Sequence, residues 1–215
     1  MHGVKFVEEE YQLAQRRIRL KRIANLDELV GRVSDALFAE DERLPYWAEL
    51  WPSAIGFIRF ADAQPSLFKD RTVLELGCGL GLTTIAISLQ RPEKLLATDY
   101  EPQALEMTRQ NFVKNQLSPP ELQLIDWRHP DLNTVFDRIA ASDVIYEERF
   151  FQPLIDLFNT YLAPGGKIVL AEPNRSVAQK FFRRLMHYGY MLHEKRMRVV
   201  QAGRPLTVSV YIISK

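Results

Sequence analysis

Glycines and a carboxylate follow two neighbouring strands that the sequence predicts. The run from Thr72 to Leu76 is β-prone and stops at Gly77, after which a glycine-rich turn opens a helix. Such a turn lets a ligand approach the backbone closely and offers it N–H groups. Asp99 ends the next predicted strand, where a carboxylate can accept both hydroxyls of a ribose. Together these features predict a nucleoside-binding site.

The spacing of the glycines argues against a dinucleotide such as NAD. Gly77, Gly79 and Gly81 stand at alternate positions, whereas the dinucleotide fingerprint has the form G-x-G-x-x-G. A Tyr-x-x-x-Lys pair for hydride chemistry belongs on a helix, but the match that ends at Lys215 lies on a predicted strand. A tight turn without a ligand is the alternative, and the paired Asp99 favours ligand binding over it.

Two groups of aromatic residues flank the predicted site. Asp126 and Trp127 follow the third predicted strand, where a carboxylate and an indole would bracket an adenine by hydrogen bonding and stacking. Packing of Trp127 on the core would explain the same position equally well. Trp47 and Trp51 precede the first core helix, and a cluster of this kind is more often core than site.

Strands and helices alternate along most of the chain. The hydrophobic pattern predicts strands at 72–76, 95–99, 122–125, 139–145 and 167–171, and helices at 82–89, 102–115, 150–162 and 176–188. A Pro-Gly-Gly turn is expected at 164–166, and Ser176 to Gln179 has the spacing of a capping box. Runs at 197–200 and 206–213 predict a terminal hairpin. The result is an α/β fold with a doubly wound, mostly parallel sheet that binds its ligand beyond the carboxyl ends of its strands.

Length and composition suit one domain in a reducing compartment. Residues 1–45 are charge-rich and are expected to form an N-terminal extension, and residues 46–215 to form the domain. A net charge of +1 provides no general attraction to nucleic acid or to an anionic membrane. The single cysteine, the lack of a long apolar run and the lack of a secretory pattern predict a cytoplasmic protein. The histidines show no paired metal spacing, so no metal is expected.

The segment from Arg16 to Arg22 is the main basic signal. It could hold an acidic protein or RNA. Because Ile18 and Leu20 alternate with the basic residues, a half-buried edge strand with solvated charges explains the segment better.

Four segments stand in order along the chain: Glu49 to Ala54 with its Trp-Pro pair, Leu74 to Gly81, Asp126-Trp127, and Asp143 to Tyr146 with the form Asp-x-x-Tyr. Together, over about residues 44–215, they resemble the lysine methyltransferase group of the seven-β-strand methyltransferases. That group includes enzymes acting on chaperones and on the electron-transfer-flavoprotein beta subunit. The resemblance implies a Rossmann-like sheet of seven strands, S-adenosylmethionine as the cofactor, and N-methylation of a lysine in a protein substrate.

The site follows from the same resemblance. The residues assigned to the cofactor pocket are Trp51, Glu75, Gly77, Cys78, Gly79, Asp99, Asp126, Trp127 and Ser142. Asp143 and Tyr146 are expected to face the acceptor as catalytic residues, with Glu147 and Arg175 contributing to substrate binding. The alternatives are methylation of a small molecule or RNA, and a catalytically silent module that binds S-adenosylmethionine. The Asn/Asp-Pro-Pro-Tyr/Phe motif of enzymes that methylate exocyclic amines is not found after the fourth strand, which disfavours nucleic acid.

Overall fold

A computed structural model describes residues 4–14, 16–26 and 45–215. Near the start, β1 (Phe6–Gln12) and β2 (Arg17–Ile23) pair antiparallel as a separate hairpin. The strands of the main sheet are β3 (Thr72–Leu76), β4 (Lys94–Asp99), β5 (Glu121–Leu124), β6 (Phe136–Ser142), β7 (Leu162–Glu172), β8 (Met191–Gln201) and β9 (Arg204–Ser214).

The main sheet has seven strands in the order β5-β4-β3-β6-β7-β9-β8. Strands β3 to β7 run parallel, and β9 is antiparallel to both of its neighbours. The chain builds outward from β3 to β5 and then returns to place β6 on the other side of β3, which makes the β3/β6 boundary the topological switch point. The predicted mostly parallel sheet and its terminal antiparallel hairpin are confirmed.

Helices cover both faces of the sheet. Their bounds are α1 (Pro52–Asp62), α2 (Leu82–Leu89), α3 (Pro102–Lys114), α4 (Phe151–Tyr161) and α5 (Ala178–His187). Successive strand residues point to opposite faces, so Val73 packs in the cluster formed with α1, α2 and α3, and Leu74 in the cluster formed with α4 and α5. Burial on both faces explains why these strands are continuous apolar runs. Two single-turn 3₁₀ helices, Tyr46–Ala48 and Glu148–Phe150, flank the carboxyl ends of the strands.

The hairpin of β1 and β2 accounts for the basic segment. Ile18 and Leu20 are fully buried against the cluster on the α1 side, as the alternating pattern predicts. The basic residues of β2 pair with the glutamates of β1, with Arg17 lying 3.2 Å from Glu10 and the Arg22 Nε 2.6 Å from Glu9. The charges that suggested an acidic partner are therefore offset within the hairpin itself. Residues 27–44 lie outside the described ranges, so the proposed boundary at residue 45 stays a prediction.

Several strand boundaries differ from the sequence prediction: β8, predicted over 197–200, begins at Met191, and β6, predicted from residue 139, begins at Phe136. Two further differences have a clear local cause. Strand β6 ends at Ser142 rather than at Ile145, because Asp143 takes a left-handed backbone conformation with φ of +62° that no strand continues through. Strand β7 begins at Leu162 and runs through the expected Pro-Gly-Gly turn, because a register shift opposite Phe136 absorbs the extra residues as an irregularity within the strand. In the part of the chain that the structure describes, no helix is long and apolar enough to cross a membrane.

Candidate functional site

A cleft opens at the carboxyl ends of β3, β4 and β6, beside the switch point. Ten of the residues assigned from the sequence line it, seven of them assigned to the cofactor and three to the acceptor: Trp51, Gly77, Cys78, Gly79, Asp99, Trp127, Ser142, Asp143, Tyr146 and Glu147. Glu75, Asp126 and Arg175, also assigned from the sequence, do not line the cleft. The positions agree with the rule that open α/β sheets bind ligands at the carboxyl ends of their strands.

The glycine turn forms one wall of the cleft. Gly77, Gly79 and Gly81 have φ values of +70°, +52° and +82°, a region that side chains with a Cβ rarely adopt. The turn is fastened to the next strand, because the Cys78 N–H donates to the Thr98 carbonyl at 2.9 Å. This conformation brings the bare backbone to the surface of the cleft.

Asp99 joins the glycine turn to the start of α3. Its Oδ2 accepts the Gly79 N–H at 2.9 Å and its Oδ1 accepts the Glu101 N–H at 3.0 Å. Burial raises the pKa of this carboxyl to about 6, although the backbone hydrogen bonds favour its charged form. The carboxylate thus reaches the cleft already oriented by two backbone donors.

Glu75 lies directly behind the turn and is 1% exposed. Its Oε1 accepts a hydrogen bond from the Thr83 hydroxyl, while its Oε2 is buried with no partner among the described residues. Burial raises its pKa to about 7. The Cys78 side chain is also buried, and burial raises the pKa of its thiol well above the usual value, which makes it unreactive.

Asp126 and Trp127 take different roles, although they are adjacent. The Asp126 carboxylate is held by Arg128, whose backbone N–H and Nε both donate to Oδ1 at 2.9 Å. Burial alone would raise the pKa of Asp126, but these bonds hold it below its usual value. The Trp127 ring lines the cleft, and a Cβ built on Gly77 would lie 3.5 Å from it. Trp127 also packs on the core and meets Phe150 edge-on, which supports the core alternative, while its stacking on an adenine stays a prediction.

Asp143 follows β6 and is 8% exposed. Its backbone N–H donates to the Ala171 carbonyl at 3.0 Å, which fixes the left-handed residue against β7. Its Oδ1 forms an ion pair with Arg175, and its buried Oδ2 has no partner among the described residues. Burial raises the pKa of Asp143, and the positive charge of Arg175 acts in the opposite direction.

A row of aromatic rings borders Asp143 on the open side of the cleft. Tyr146 lies 5.6 Å from Tyr46 and 5.7 Å from Phe150, measured between ring centroids, and Tyr46 lies 6.1 Å from Trp51. Burial raises the pKa of the Tyr146 hydroxyl, which keeps it protonated over the physiological range. The row gives the mouth of the cleft a largely apolar wall next to a buried carboxylate.

The sequence analysis missed several residues that line the cleft. Tyr100 and Glu101 come directly after Asp99, and the rule that residues following a strand face the ligand would have identified them. Tyr46 and Phe150 each belong to a single 3₁₀ turn, and no spacing in the sequence marks them. Glu147, expected to bind substrate, lines the cleft but is paired with Arg149 at 2.6 Å. Within the described ranges, no group of three or more histidine, cysteine, aspartate or glutamate residues could hold a metal ion.

The sheet order and the position of the cleft are those of the Rossmann-like fold that solved methyltransferases share. A putative RNA methyltransferase from Pyrococcus horikoshii superposes with a TM-score of 0.60 at 12% identity, over 88% of this chain and 94% of that one. The N-methyltransferase NodS from Bradyrhizobium japonicum, solved with S-adenosyl-L-homocysteine, superposes with a TM-score of 0.57 at 17% identity, over 89% of this chain and 100% of that one. These similarities establish the fold.

Residues 36–188 match the model of a family described as lysine methyltransferase, and the chain belongs to that family. It is 32% identical over 136 residues to the electron transfer flavoprotein beta subunit lysine methyltransferase of Mus musculus, covering 61% of this chain and 51% of that protein. It is 28% identical over 178 residues to EEF1A lysine methyltransferase 3 of Mus musculus, covering 79% and 72%. The chain spans about half the length of the first of these relatives.

The cofactor of this family is S-adenosylmethionine, and the residues of the cleft fit it. Asp99 presents a buried, oriented carboxylate of the kind that accepts ribose hydroxyls. The space in front of Gly77 and Gly79 is a cradle that a Cβ would narrow, since it would lie 3.4 Å from Val144 or from the Trp47 carbonyl. The buried Trp127 Nε1 has no partner among the described residues and remains available as a donor.

Proposed function

We propose that this protein transfers a methyl group from S-adenosylmethionine to the side-chain nitrogen of a lysine in a protein. The observation that carries the proposal is the second carboxylate oxygen of Asp143. That oxygen is buried and lacks a partner among the described residues, and Asp143 itself lines the cleft in the loop that carries Tyr146. A buried acceptor atom beside an aromatic wall suits an amine that must be oriented and partly dehydrated.

The cofactor would be held by two layers of residues. We assign the ribose to Asp99, the close backbone approach to the turn at Gly77, Cys78 and Gly79, and flanking contacts to Trp51, Trp127 and Ser142. Glu75 and Asp126 support this layer from behind, because Glu75 packs under the turn and Asp126 is occupied by Arg128. When bound, S-adenosylmethionine supplies an electrophilic methyl group on a sulfonium sulfur.

Residues of this chain prepare the acceptor. A lysine amine has a pKa near 10.4, so only about one part in a thousand or less is uncharged at pH 7. Burial beside Tyr146, Tyr46 and Phe150 disfavours the charged form, and the proton leaves for solvent. Oδ2 of Asp143 then accepts one of the remaining N–H bonds, which directs the nitrogen lone pair. The same carboxylate stabilises the methylammonium charge that develops.

A labelling experiment tests the proposal. The purified protein is incubated with methyl-labelled S-adenosylmethionine and a lysate of its source, and the products are treated with protease or nuclease. We expect label that survives nuclease, is lost to protease and is recovered as methyllysine after acid hydrolysis. Label lost to nuclease would indicate RNA, and label in the low-molecular-mass fraction a small molecule. Binding of the cofactor with no transfer to any fraction would support the silent module instead.

The remaining assignments are part of the same proposal. We assign the methyltransferase domain to residues 46–215 and treat residues 1–45 as an extension whose hairpin packs on that domain. We propose a cytoplasmic location, because the only cysteine is a buried thiol and a reducing compartment leaves it unchanged. Fractionation of the source cells, with immunodetection of the protein, tests the location.

A further inference from the structure

We propose that Arg175 is a positioning residue that offsets the charge of Asp143, so that Asp143 can orient the acceptor amine without holding it in its charged form. The inference rests on the proposed function and changes the role of Arg175. Arg175 was expected from the resemblance to contribute to substrate binding, but it does not line the cleft and instead forms an ion pair with Asp143.

The loop after β7 places Arg175 by fixed contacts. Both oxygens of the buried Glu172 carboxylate accept the Arg175 N–H, at 3.0 and 3.1 Å. Asn174, left-handed with φ of +68°, is fastened to β9, because its Nδ2 donates to the Thr207 carbonyl at 2.9 Å and its Oδ1 accepts the Ser209 hydroxyl at 2.7 Å. The backbone that carries the guanidinium is therefore held independently of the ion pair.

The guanidinium is held between two residues that line the cleft. One of its nitrogens pairs with Asp143, and its Cζ lies 5.6 Å from the centroid of the Trp51 ring. The side chain of Arg175 is 28% exposed, whereas that of Asp143 is 4% exposed. A planar cation stacked on an aromatic ring keeps its orientation better than a flexible ammonium would.

The charges around Asp143 make Arg175 the group that balances it. From the loop after β7, Asp143 faces Arg175 and, further back, Glu172, which lies 3.7 Å from the same guanidinium. From its own loop it is followed by Tyr146 and Glu147. Among the described residues that line the cleft, Arg149 is the only one with a cationic side chain, and it is paired with Glu147 at 2.6 Å. Glu49, which also lines the cleft, adds a further negative charge.

This balance addresses a conflict within the proposed chemistry. An unbalanced carboxylate next to the acceptor raises the pKa of the amine, and each unit of increase lowers the reactive uncharged fraction about tenfold. Arg175 contacts Oδ1 and adds a positive charge beside the carboxylate. Oδ2 keeps its capacity to accept a hydrogen bond, while the net field at the acceptor is reduced.

The affinity ratio of S-adenosylmethionine to S-adenosylhomocysteine measures that field, because the two ligands differ by a methyl group and a positive charge at sulfur. Calorimetry compares the wild type with Arg175→Gln, and Arg175→Lys is the matched control that keeps the charge. We expect the ratio to rise about tenfold in Arg175→Gln and to change little in Arg175→Lys. Adding Asp143→Asn to Arg175→Gln should return the ratio to that of the wild type.

An unchanged ratio in a folded Arg175→Gln protein would overturn the inference and leave Arg175 a structural residue. If Arg175→Gln does not fold, the double variant Arg175→Gln/Asp143→Asn is compared with Asp143→Asn alone, and the ratio should be higher in the double variant, because Asp143→Asn alone keeps the positive charge of Arg175. Equal ratios in these two variants would also overturn the inference. Failure of the wild type to bind either ligand would overturn the proposed function and this inference together.

A second readout uses the acceptor identified by labelling. The pH profile of methyl transfer in Arg175→Gln should move about one unit to higher pH, so that the rate is about tenfold lower at pH values below the apparent pKa of the amine and approaches the wild-type rate above it. A purely structural role would lower the rate equally at every pH, and that result would contradict the proposal.

Discussion

Asn111 hydrogen-bonds both backbone groups of Lys21, accepting its N–H at 2.7 Å and donating to its carbonyl at 2.9 Å. One helical turn later, Asn115 does the same with Arg19 at 2.8 and 2.7 Å. The i, i+4 spacing on α3 thus matches alternate residues of β2, and two side-chain amides take the place of a neighbouring strand. The hairpin is consequently attached to the domain by directional bonds as well as by its buried face.

The first prediction concerns this attachment. Asn111→Ala should destabilise the protein by about 1–3 kcal/mol, because it leaves the Lys21 backbone groups and the Leu80 carbonyl without their partner. Thermal unfolding measures the loss, and hydrogen exchange at the Lys21 amide should accelerate. Val113→Ala is the control, since Val113 lies on the same helix and is 65% exposed. Equal melting temperatures for the two variants would contradict the role of Asn111.

The second prediction concerns pH. Burial raises the pKa of Asp99 to about 6, so its charge is lost as the pH falls through that value, and the affinity for S-adenosylhomocysteine should fall with it. Asp99→Asn should bind about ten- to a hundredfold more weakly and lose the dependence near pH 6. Calorimetry from about pH 5 to about pH 8 measures the affinity, because this range extends roughly one unit beyond the pKa values of Asp99 and Glu75.

Glu75 is the control for that profile, because burial raises its pKa to about 7. In Glu75→Gln the dependence near pH 6 should remain, and any step near pH 7 should disappear. If instead the whole dependence vanishes in Glu75→Gln and survives in Asp99→Asn, the ribose assignment is wrong.

The third prediction separates the two roles of Trp127. Trp127→Phe keeps most of the packing under Phe150 and removes a buried N–H that has no partner among the described residues, so the melting temperature should be maintained. The affinity for S-adenosylhomocysteine should fall about threefold or more, since the larger ring contributes stacking and a donor. Fluorescence titration and calorimetry report the affinity. Normal binding with a lower melting temperature would make Trp127 a core residue only.

The fourth prediction concerns catalysis. Asp143→Asn keeps a side chain that tolerates the left-handed backbone, so the variant should fold and bind S-adenosylhomocysteine, which has no charge at sulfur, within about threefold of the wild type. Methyl transfer should drop at least about tenfold, because the charge that stabilises the product ammonium is lost. Glu148→Gln is the control, since Glu148 pairs with Lys180 at the surface and should transfer methyl groups normally. Unchanged turnover in Asp143→Asn would remove Asp143 from the catalytic residues.

Much of the fold could be predicted because the hydrophobic periodicity and the turn residues between the elements indicate the same boundaries. The strand at Thr72–Leu76 and the helix at Leu82–Leu89 have the predicted bounds, since a glycine turn separates two clear patterns. The expected capping box at Ser176 is not formed. Helix α5 starts at Ala178 and its N-cap, Val177, makes no side-chain capping bond, because Glu172 rather than Ser176 organises the preceding loop. Contacts between residues distant in sequence decide such boundaries.

The site also has features that the sequence predicts and features that it does not. Residues that follow strands, such as Asp99 and Asp143, are found from their position at the end of an apolar run. The ion pair of Asp143 with Arg175 was not predicted, because it joins two loops through side chains and no local spacing encodes it. Arg128, which holds the Asp126 carboxylate, is only two residues away in sequence, yet the sequence pattern marks Asp126 as a free carboxylate. Sequence identifies the groups that carry chemistry, whereas packing decides which of them are already engaged.

The left-handed backbones of Asp143 and Asn174 limit how these two positions can change over time. Aspartate, asparagine and glycine tolerate such a conformation, and β-branched residues do not. We therefore expect relatives that keep this loop geometry to vary at both positions within those three types. A relative with glycine at the first position would keep the left-handed backbone of this loop while losing the carboxylate. Under the role proposed for Asp143, a single codon change would then be enough to abolish methyl transfer.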